Sequence, residues 1–388
     1  MGKGDNKDRR QRFWRLLASG ARRTLARRYN YTCEPITTEG PCLIISNHVT
    51  NSDPFLVGLA HANEPLTFVA SEHIFRQGLT SKLITKLLDP IPRSKAASGA
   101  GTVKSCLRRI KDGEAVALFA EGDCTWDGLS AGIFPATGKL AKACGVPLVT
   151  FRIEGGYPTR PRWSKHSRRG KMRGGPVRVY GVEELKAMTP EEVTAAIDRD
   201  IFEDAWARLR GEPVRYIGKK KAEGLERGFY ICPKCGGMRL SSKGDELRCA
   251  DCGLVCTVLD NAEFAFEPPV GIKNAAEWDI LQRERMEGIL KGELEEPEAD
   301  EVECLFTNVG TDEKQKARLA VDIAKRRLRV TFGGYEQSFV FSDISDMSMV
   351  KTNRLLFTSG EGYYELKCKR GCLRRALNAW QAAKRLGL

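Results

Sequence analysis

No stretch of this chain approaches the roughly 20 consecutive apolar residues that a helix needs to cross a bilayer, and its longest apolar runs are strand-sized, such as residues 115–120. A protein anchored by membrane-spanning helices is therefore excluded. The Arg-rich start lacks a continuous apolar region and a small-residue cleavage site, so no secretory leader is expected, and Met1-Gly2 lacks the downstream Ser/Thr that myristoylation requires. Histidine is scarce, at four residues, so imidazole chemistry has few positions from which to come. Acid is short relative to base: 50 Asp and Glu against 63 Lys and Arg give a net charge of +13 and imply an anionic partner, either nucleic acid or a lipid surface. No internal repeat is present. Cysteine is not scarce, but an odd total of 13, widely scattered, argues against a disulfide framework and for thiols kept reduced in the cytoplasm.

A length of 388 residues suggests two or three domains. The most informative segment is the apolar run Cys42-Leu43-Ile44-Ile45-Ser46 followed by Asn47-His48-Val49-Thr50-Asn51-Ser52-Asp53-Pro54. It reads as a buried strand running into the start of a helix, with Pro at the first helical positions. A neutral imidazole can take a proton from an attacking hydroxyl, and a carboxylate one turn away can fix its tautomer and stabilise the imidazolium that forms. His48 and Asp53 are thus the candidate general base and its orienter.

Three further segments follow in order: Leu88-Asp89-Pro90-Ile91-Pro92-Arg93, then Ala115-Val116-Ala117-Leu118-Phe119-Ala120-Glu121-Gly122, then Gly145-Val146-Pro147-Leu148-Val149-Thr150. Together with the His48 segment they make residues 29–209 resemble glycerophospholipid acyltransferases of the lysophosphatidate type. The resemblance implies that a lysophospholipid hydroxyl attacks an acyl thioester, carried by coenzyme A or acyl carrier protein, with no acyl-enzyme required. It further implies 1-acyl-sn-glycerol-3-phosphate as acceptor and phosphatidate as product, with Arg93, Glu121 and Gly122 binding the acceptor. One departure matters. Where the family continues Glu-Gly-Thr-Arg-Ser, this chain reads Glu121-Gly122-Asp123-Cys124, which replaces a phosphate-binding Arg by a thiol and adds a negative charge. Either Arg93 and the basic segment after Arg160 supply the missing charge, or the acceptor is another lysolipid or a glycolipid without a phosphate monoester.

Residues 29–211 alternate strand and helix signals and predict an α/β domain with a central mixed sheet. The expected strands include residues 43–46, 66–70, 115–120, 148–153 and 177–180. Helices are expected near 81–88, over 101–109, and from Thr189 to about Leu209, where Pro190 and Glu191-Glu192 form an acidic first turn. Residues 1–28 form a basic amphipathic helix, with Phe13, Trp14, Leu17, Ala21 and Leu25 at helical spacing among arginines, suited to the headgroup layer of an anionic membrane or else to packing on its own domain. Residues 160–173 carry seven Lys or Arg and no acid, and read as a loop that grips headgroups or the thioester carrier, or is simply solvated. These features place the protein peripherally on the cytoplasmic face of a membrane.

Beyond a linker at 212–227, Cys232-x-x-Cys235-Gly and Cys249-x-x-Cys252-Gly have the spacing of a zinc ribbon (228–260), with four thiolates closing a structural Zn²⁺ site that leaves no place for a catalytic water. A helical and acidic connector (261–300) then precedes a region of short strands closed by a helix over 371–386, resembling a pleckstrin-homology-like domain (301–388). The rival reading is a zinc-ribbon nucleic-acid-binding protein. The basic residues concentrate outside the ribbon, which lacks interleaved aromatic and basic positions, so no nucleic-acid partner is expected.

Overall fold

The computed structural model describes residues 3–61, 64–71, 89–93, 100–311 and 313–388. The helix expected near 81–88 lies outside the described residues. The chain divides into two compact units, Met1–Pro161 with Ser167–Ile217, and Arg162–His166 with Gly218–Leu388. Among the described residues no helix is long and apolar enough to cross a membrane.

Among the described residues the first unit is built on seven strands, β1 (Tyr31–Cys33), β2 (Leu43–Ser46), β3 (Thr67–Ser71), β4 (Ile91–Arg93), β5 (Val116–Phe119), β6 (Leu148–Glu154) and β7 (Met172–Tyr180). They form one mixed sheet in the order β1-β7-β6-β2-β5-β3-β4. β2 pairs in parallel with both β5 and β6, β3 with β5 and β4, while β6 and β7 are antiparallel. Central position explains composition: all of β2 is buried, and its residues alternate between two cores. Ile44 faces a core that also holds Leu56, Val57, Phe68, Val149 and Phe151, whereas Leu43 and Ile45 face one with Cys106, Ile110, Val116, Ala141, Val193 and Ile197.

β7 is longer than the four residues expected, because Gly174-Gly175-Pro176 disguises its first half. A register shift against β6 between Thr150 and Phe151, opposite Pro176, accommodates the residue that cannot donate to the ladder. The single helix expected from Thr189 is two, Pro190–Ile201 and Ala205–Gly211. Thr189 caps the first in a capping box with Glu192, and Asp204 starts the second by accepting from the amides of Trp206 and Ala207.

The N-terminal helix, Lys3–Tyr29, corrects one expectation. Trp14 is not displayed toward a membrane. With Ala18 and Tyr29 it belongs to the core, and its ring lies so close to Gly58 that a Cβ there would stand 2.6 Å from it. Arg12, Arg15, Arg23, Arg27 and Arg28 cover the exposed side with Leu16. The Phe13 and Leu17 side chains lie outside the described residues. The 160–173 segment is likewise pinned rather than a solvated excursion. Arg160 donates to the Tyr29 hydroxyl at 3.2 Å, Arg169 to the Arg27 carbonyl at 3.1 Å, and Arg168 and Trp163 are buried.

The second unit contains an antiparallel four-stranded sheet in the order β11-β10-β9-β8, from β8 (Leu240–Lys243), β9 (Glu246–Cys249), β10 (Val255–Val258) and β11 (Phe264–Glu267). Phe229, Phe264, Phe266 and Trp278 pack ring against ring beside it, Trp278 coming from the helix Ala275–Lys291. The stretch expected as a connector therefore packs on the four-stranded sheet. A second antiparallel sheet of seven strands has the order β15-β14-β13-β12-β18-β17-β16, between β12 (Val302–Asn308) and β18 (Gly362–Cys368), and the chain closes with the helix Arg374–Arg385. Buried Arg374 ties these parts together, pairing with Asp279 at 2.7 Å and donating to the Gly228 carbonyl at 2.7 Å.

Candidate active site

His48, Glu121 and Arg93 come from three different loops or strand ends, yet β2, β5 and β4 run parallel and deliver them to the same edge of the sheet, where open α/β sheets bind ligands. Asn47, fully buried, first anchors the loop: its amide accepts from Ile153 N–H at 2.8 Å and donates to the Ile153 carbonyl at 2.9 Å. His48 follows, and its Nδ1 lies 2.8 Å from Asp53 Oδ2. Asp53 has no exposed surface and accepts three more donors, Val49 N–H at 2.6 Å, Thr50 N–H at 2.9 Å and the Thr50 hydroxyl at 2.6 Å. A carboxylate so fully hydrogen-bonded is held in one orientation, as an orienter must be.

Glu121 joins the two strand ends. One oxygen accepts the His48 backbone N–H at 2.8 Å and the other the Ala131 N–H at 2.7 Å. Burial pushes its pKa up to about 7, against the pull of these two amides. Gly122 turns the chain at φ +77°, and a Cβ there would stand 2.7 Å from the Phe134 ring and 3.4 Å from the Arg93 guanidinium. Arg93 itself lies over Phe134 at 4.6 Å. Asp89 pairs with Arg109, leaving Arg93 beside Gly122.

Three contacts were not read from the sequence. The Phe119 ring stacks on the imidazole at 4.4 Å. Thr125 N–H donates to the His48 carbonyl at 3.0 Å, and Cys124 Sγ lies 3.4 Å from His48 Nε2. The only available signal was the departure at Asp123-Cys124, whose position relative to His48 depends on two parallel strands coming together. Burial alone would lower the His48 pKa, but Cys124 and Asp53 beside the ring more than reverse this and hold it well above the ordinary imidazole value.

A second cluster stands in the other unit. One ligand atom each from Cys232, Cys235, Cys249 and Cys252 lies within 4.8 Å of the others. Cys232 and Cys252 are 3.7 Å apart, Cys235 and Cys249 3.8 Å, close to the edge of about 3.8 Å that a tetrahedron of Zn–S bonds near 2.3 Å requires. Gly236 and Gly253, at φ +78° and +71°, complete each knuckle, and the Gly237 amide points to Cys235 Sγ at 3.4 Å. Cys256 is buried outside the cluster.

Comparison with known proteins places the first site in context. Residues 28–154 match the acyltransferase family. A probable 1-acyl-sn-glycerol-3-phosphate acyltransferase of Mycoplasma genitalium is 30% identical over 128 residues, covering 31% of this chain and 47% of that protein. The chain thus matches about half the length of that curated relative. Among solved structures, the 1-acyl-sn-glycerophosphate (LPA) acyltransferase PlsC of Thermotoga maritima aligns with a TM-score of 0.43 at 17% identity, over 52% of this chain and 82% of that one. The segment that matches the acyltransferase family is the one that carries His48, Asp53, Arg93, Glu121 and Gly122.

Proposed function

We propose that this chain is an O-acyltransferase that moves a fatty acyl group from a coenzyme A or acyl-carrier-protein thioester to the hydroxyl of a lysophospholipid. The observation that carries the reading is the buried Asp53 holding His48 Nδ1 at 2.8 Å inside the segment matched to the acyltransferase family. Asp53 fixes the proton on Nδ1 and leaves Nε2 to take the acceptor's proton. Arg93 meets the anionic headgroup of the acceptor in this reading, which its position beside Gly122 supports. The relative's printed name supports 1-acyl-sn-glycerol-3-phosphate as acceptor and phosphatidate as product, while Asp123 opposes a phosphate monoester and favours a less charged acceptor. Purified protein, a labelled acyl thioester and a panel of lysolipids with and without a terminal phosphate test class and acceptor together. Absence of labelled diacyl product from every acceptor would sink the reading.

We further infer that the four-thiol cluster holds a structural Zn²⁺, supported by sulfur separations that suit a tetrahedron, and that the seven-stranded sheet with its C-terminal helix is a pleckstrin-homology-like domain. The exposed arginines of the N-terminal helix support peripheral binding to an anionic cytoplasmic leaflet by charge alone, since Trp14 is committed to the core.

A further inference from the structure

An arginine that is to meet an anionic headgroup needs a partner that holds it in place without cancelling its charge. A carboxylate would hold Arg93 but would also neutralise it and occupy its N–H groups. Asp89, the nearest acid in the chain, is paired with Arg109 instead. Arg93 lies over the Phe134 ring, its guanidinium carbon 4.6 Å from the ring centre. The ring's quadrupole attracts the cation yet offers no acceptor oxygen to compete with a phosphate for its N–H groups. We propose that Phe134 is a positioning residue for the acceptor's headgroup, a platform that holds Arg93 in place and fully charged in a chain that has Cys124 where an arginine would be expected. The proposal rests on the reading of Arg93 given above.

The pair is assembled from separate parts of the sheet. Arg93 ends β4, and β3 stands between β4 and β5, parallel to both. Phe134 arrives on the segment that follows β5, and that segment is fastened along its length. Ala131 N–H donates to Glu121 at 2.7 Å, Phe134 N–H donates to the Ala120 carbonyl at 3.3 Å, and the Phe134 carbonyl accepts the Thr137 N–H at 2.9 Å and the Thr137 hydroxyl at 2.6 Å. The backbone that carries the ring is thus tied both to the end of β5 and to the start of the helix Thr137–Cys144. Gly122 leaves the room that ring and guanidinium share, since a Cβ there would crowd both.

Exposure distinguishes this ring from a core residue. Phe134 is 46% exposed, while Ile133 before it packs against the core that holds Leu43 and Ile45. A ring left half in water adds little to folding, but it restrains an arginine that would otherwise lose rotamer freedom on binding its ligand. The imidazole of His48 is stacked on a different ring, Phe119. Acceptor affinity and proton transfer therefore rely on separate aromatic residues. A change at Phe134 should move KM for an anionic acceptor and leave kcat, the mark of binding energy felt equally in ground and transition states. An acceptor with an uncharged headgroup draws nothing from Arg93 and should not register the change.

The test uses the full-length protein with palmitoyl-CoA, or palmitoyl-acyl carrier protein if only that donor supports turnover. The acceptors are 1-palmitoyl lysophosphatidate, the matching lysophosphatidylglycerol and uncharged monopalmitoylglycerol, each dispersed in neutral detergent. Phe134→Leu should raise KM for the anionic acceptors about 3–10-fold, the strength of a partly exposed cation–π contact, with kcat nearly unchanged. KM for monopalmitoylglycerol should stay the same, and Phe134→Tyr should behave as wild type. In an Arg93→Leu background, Phe134→Leu should add nothing, because the ring then has no cation to hold. Should Phe134→Leu fail to fold, phenylalanines carrying one, two and three fluorines at position 134 keep the ring's shape while drawing electron density from its face, and KM should rise stepwise. A KM unmoved by these changes but raised by Arg93→Leu would overturn the proposal alone. An equal rise for charged and uncharged acceptors would also overturn it, by showing that the ring touches the acyl chain. Kinetics unmoved by Arg93→Leu, or turnover of the uncharged acceptor only, would refute the Arg93 assignment and the proposal with it. Diacyl product from no acceptor would refute the acyl-transfer reading itself.

Discussion

Replacing Asp53 by Asn removes one charge, and the structure dictates how the amide must then sit. Oδ2 of Asp53 accepts from His48 Nδ1 at 2.8 Å and from Val49 N–H at 2.6 Å, while Oδ1 accepts the Thr50 hydroxyl at 2.6 Å. An NH₂ group at the Oδ2 position would confront the Val49 N–H donor to donor and force the imidazole into its other tautomer. At the Oδ1 position it meets a hydroxyl that can rotate and accept. Thr50 N–H, 2.9 Å from Oδ2, keeps an acceptor in this second arrangement. Avoiding a buried unsatisfied donor favours it by about 1–3 kcal/mol. The tautomer therefore survives, and the loss is the difference between a charged and a neutral hydrogen bond, about 1–2 kcal/mol, or about 5–30-fold in turnover. A wrong tautomer would instead cost about 10⁴-fold. The assay is acyl transfer at saturating substrate, with thermal melts to confirm folding. Adding Thr50→Val to Asp53→Asn should deepen the loss by removing the hydroxyl that steers the amide. A single-variant loss near 10⁴-fold, or a double variant no worse than the single, would refute this reasoning.

His48→Ala should lower turnover by about 10²–10⁴-fold with the fold intact by circular dichroism, and full activity would remove His48 from the mechanism. Metal analysis should give about one zinc per chain, chelation should open the segment holding Cys232 to Cys252 to protease, and Cys256→Ser should retain the metal. Gly58→Ala places a Cβ against Trp14 and should destabilise the first unit by about 1–3 kcal/mol, seen as faster tryptic cleavage within residues 9–28; unchanged cleavage would mean the helix is not seated there. Replacing Arg12, Arg15, Arg23 and Arg27 together by Ala should weaken salt-sensitive binding to anionic vesicles by about 1 kcal/mol per residue, and leave activity on detergent-dispersed lysolipid unchanged.

The sheet was legible where local pattern and burial agree. β2, β5 and β6 read as apolar runs because central strands of a sheet covered on both faces are largely buried, and their ends bring the His48 and Glu121 segments together. The clustering of Cys232, Cys235, Cys249 and Cys252 was legible because each Cys-x-x-Cys turn is a local structure. What the sequence concealed is non-local. Nothing near Trp14 announces that Gly58, 44 positions later, leaves room for its ring, so an amphipathic pattern suited both a membrane and a core. β1 is only three residues long and pairs with β7, whose Gly-Gly-Pro start masks it in turn. Glu121 was read as a group for the acceptor, yet both its oxygens hold backbone amides, a role no spacing rule conveys. Cys124 was visible only as a missing arginine, since its neighbour is set by strand pairing and not by chain distance.

The path of the chain through residues 162–166 has a consequence for dissecting the protein. These five residues count with Gly218–Leu388, and Trp163 there packs edge-on to Phe229 with their ring centres 6.5 Å apart, while Arg162 donates to the Lys351 carbonyl at 3.0 Å. The chain therefore enters the second unit, returns, and enters again at Gly218. A polypeptide stopped at residue 217 would hold every residue of the His48 site but present Trp163 to water without its aromatic neighbour. Simple truncation, in the laboratory or in descent, thus leaves an adhesive scar on the fragment, and a stand-alone version would need Trp163 replaced by a polar residue. The second unit is assembled from two separate stretches of the chain, where an appended unit would need only one.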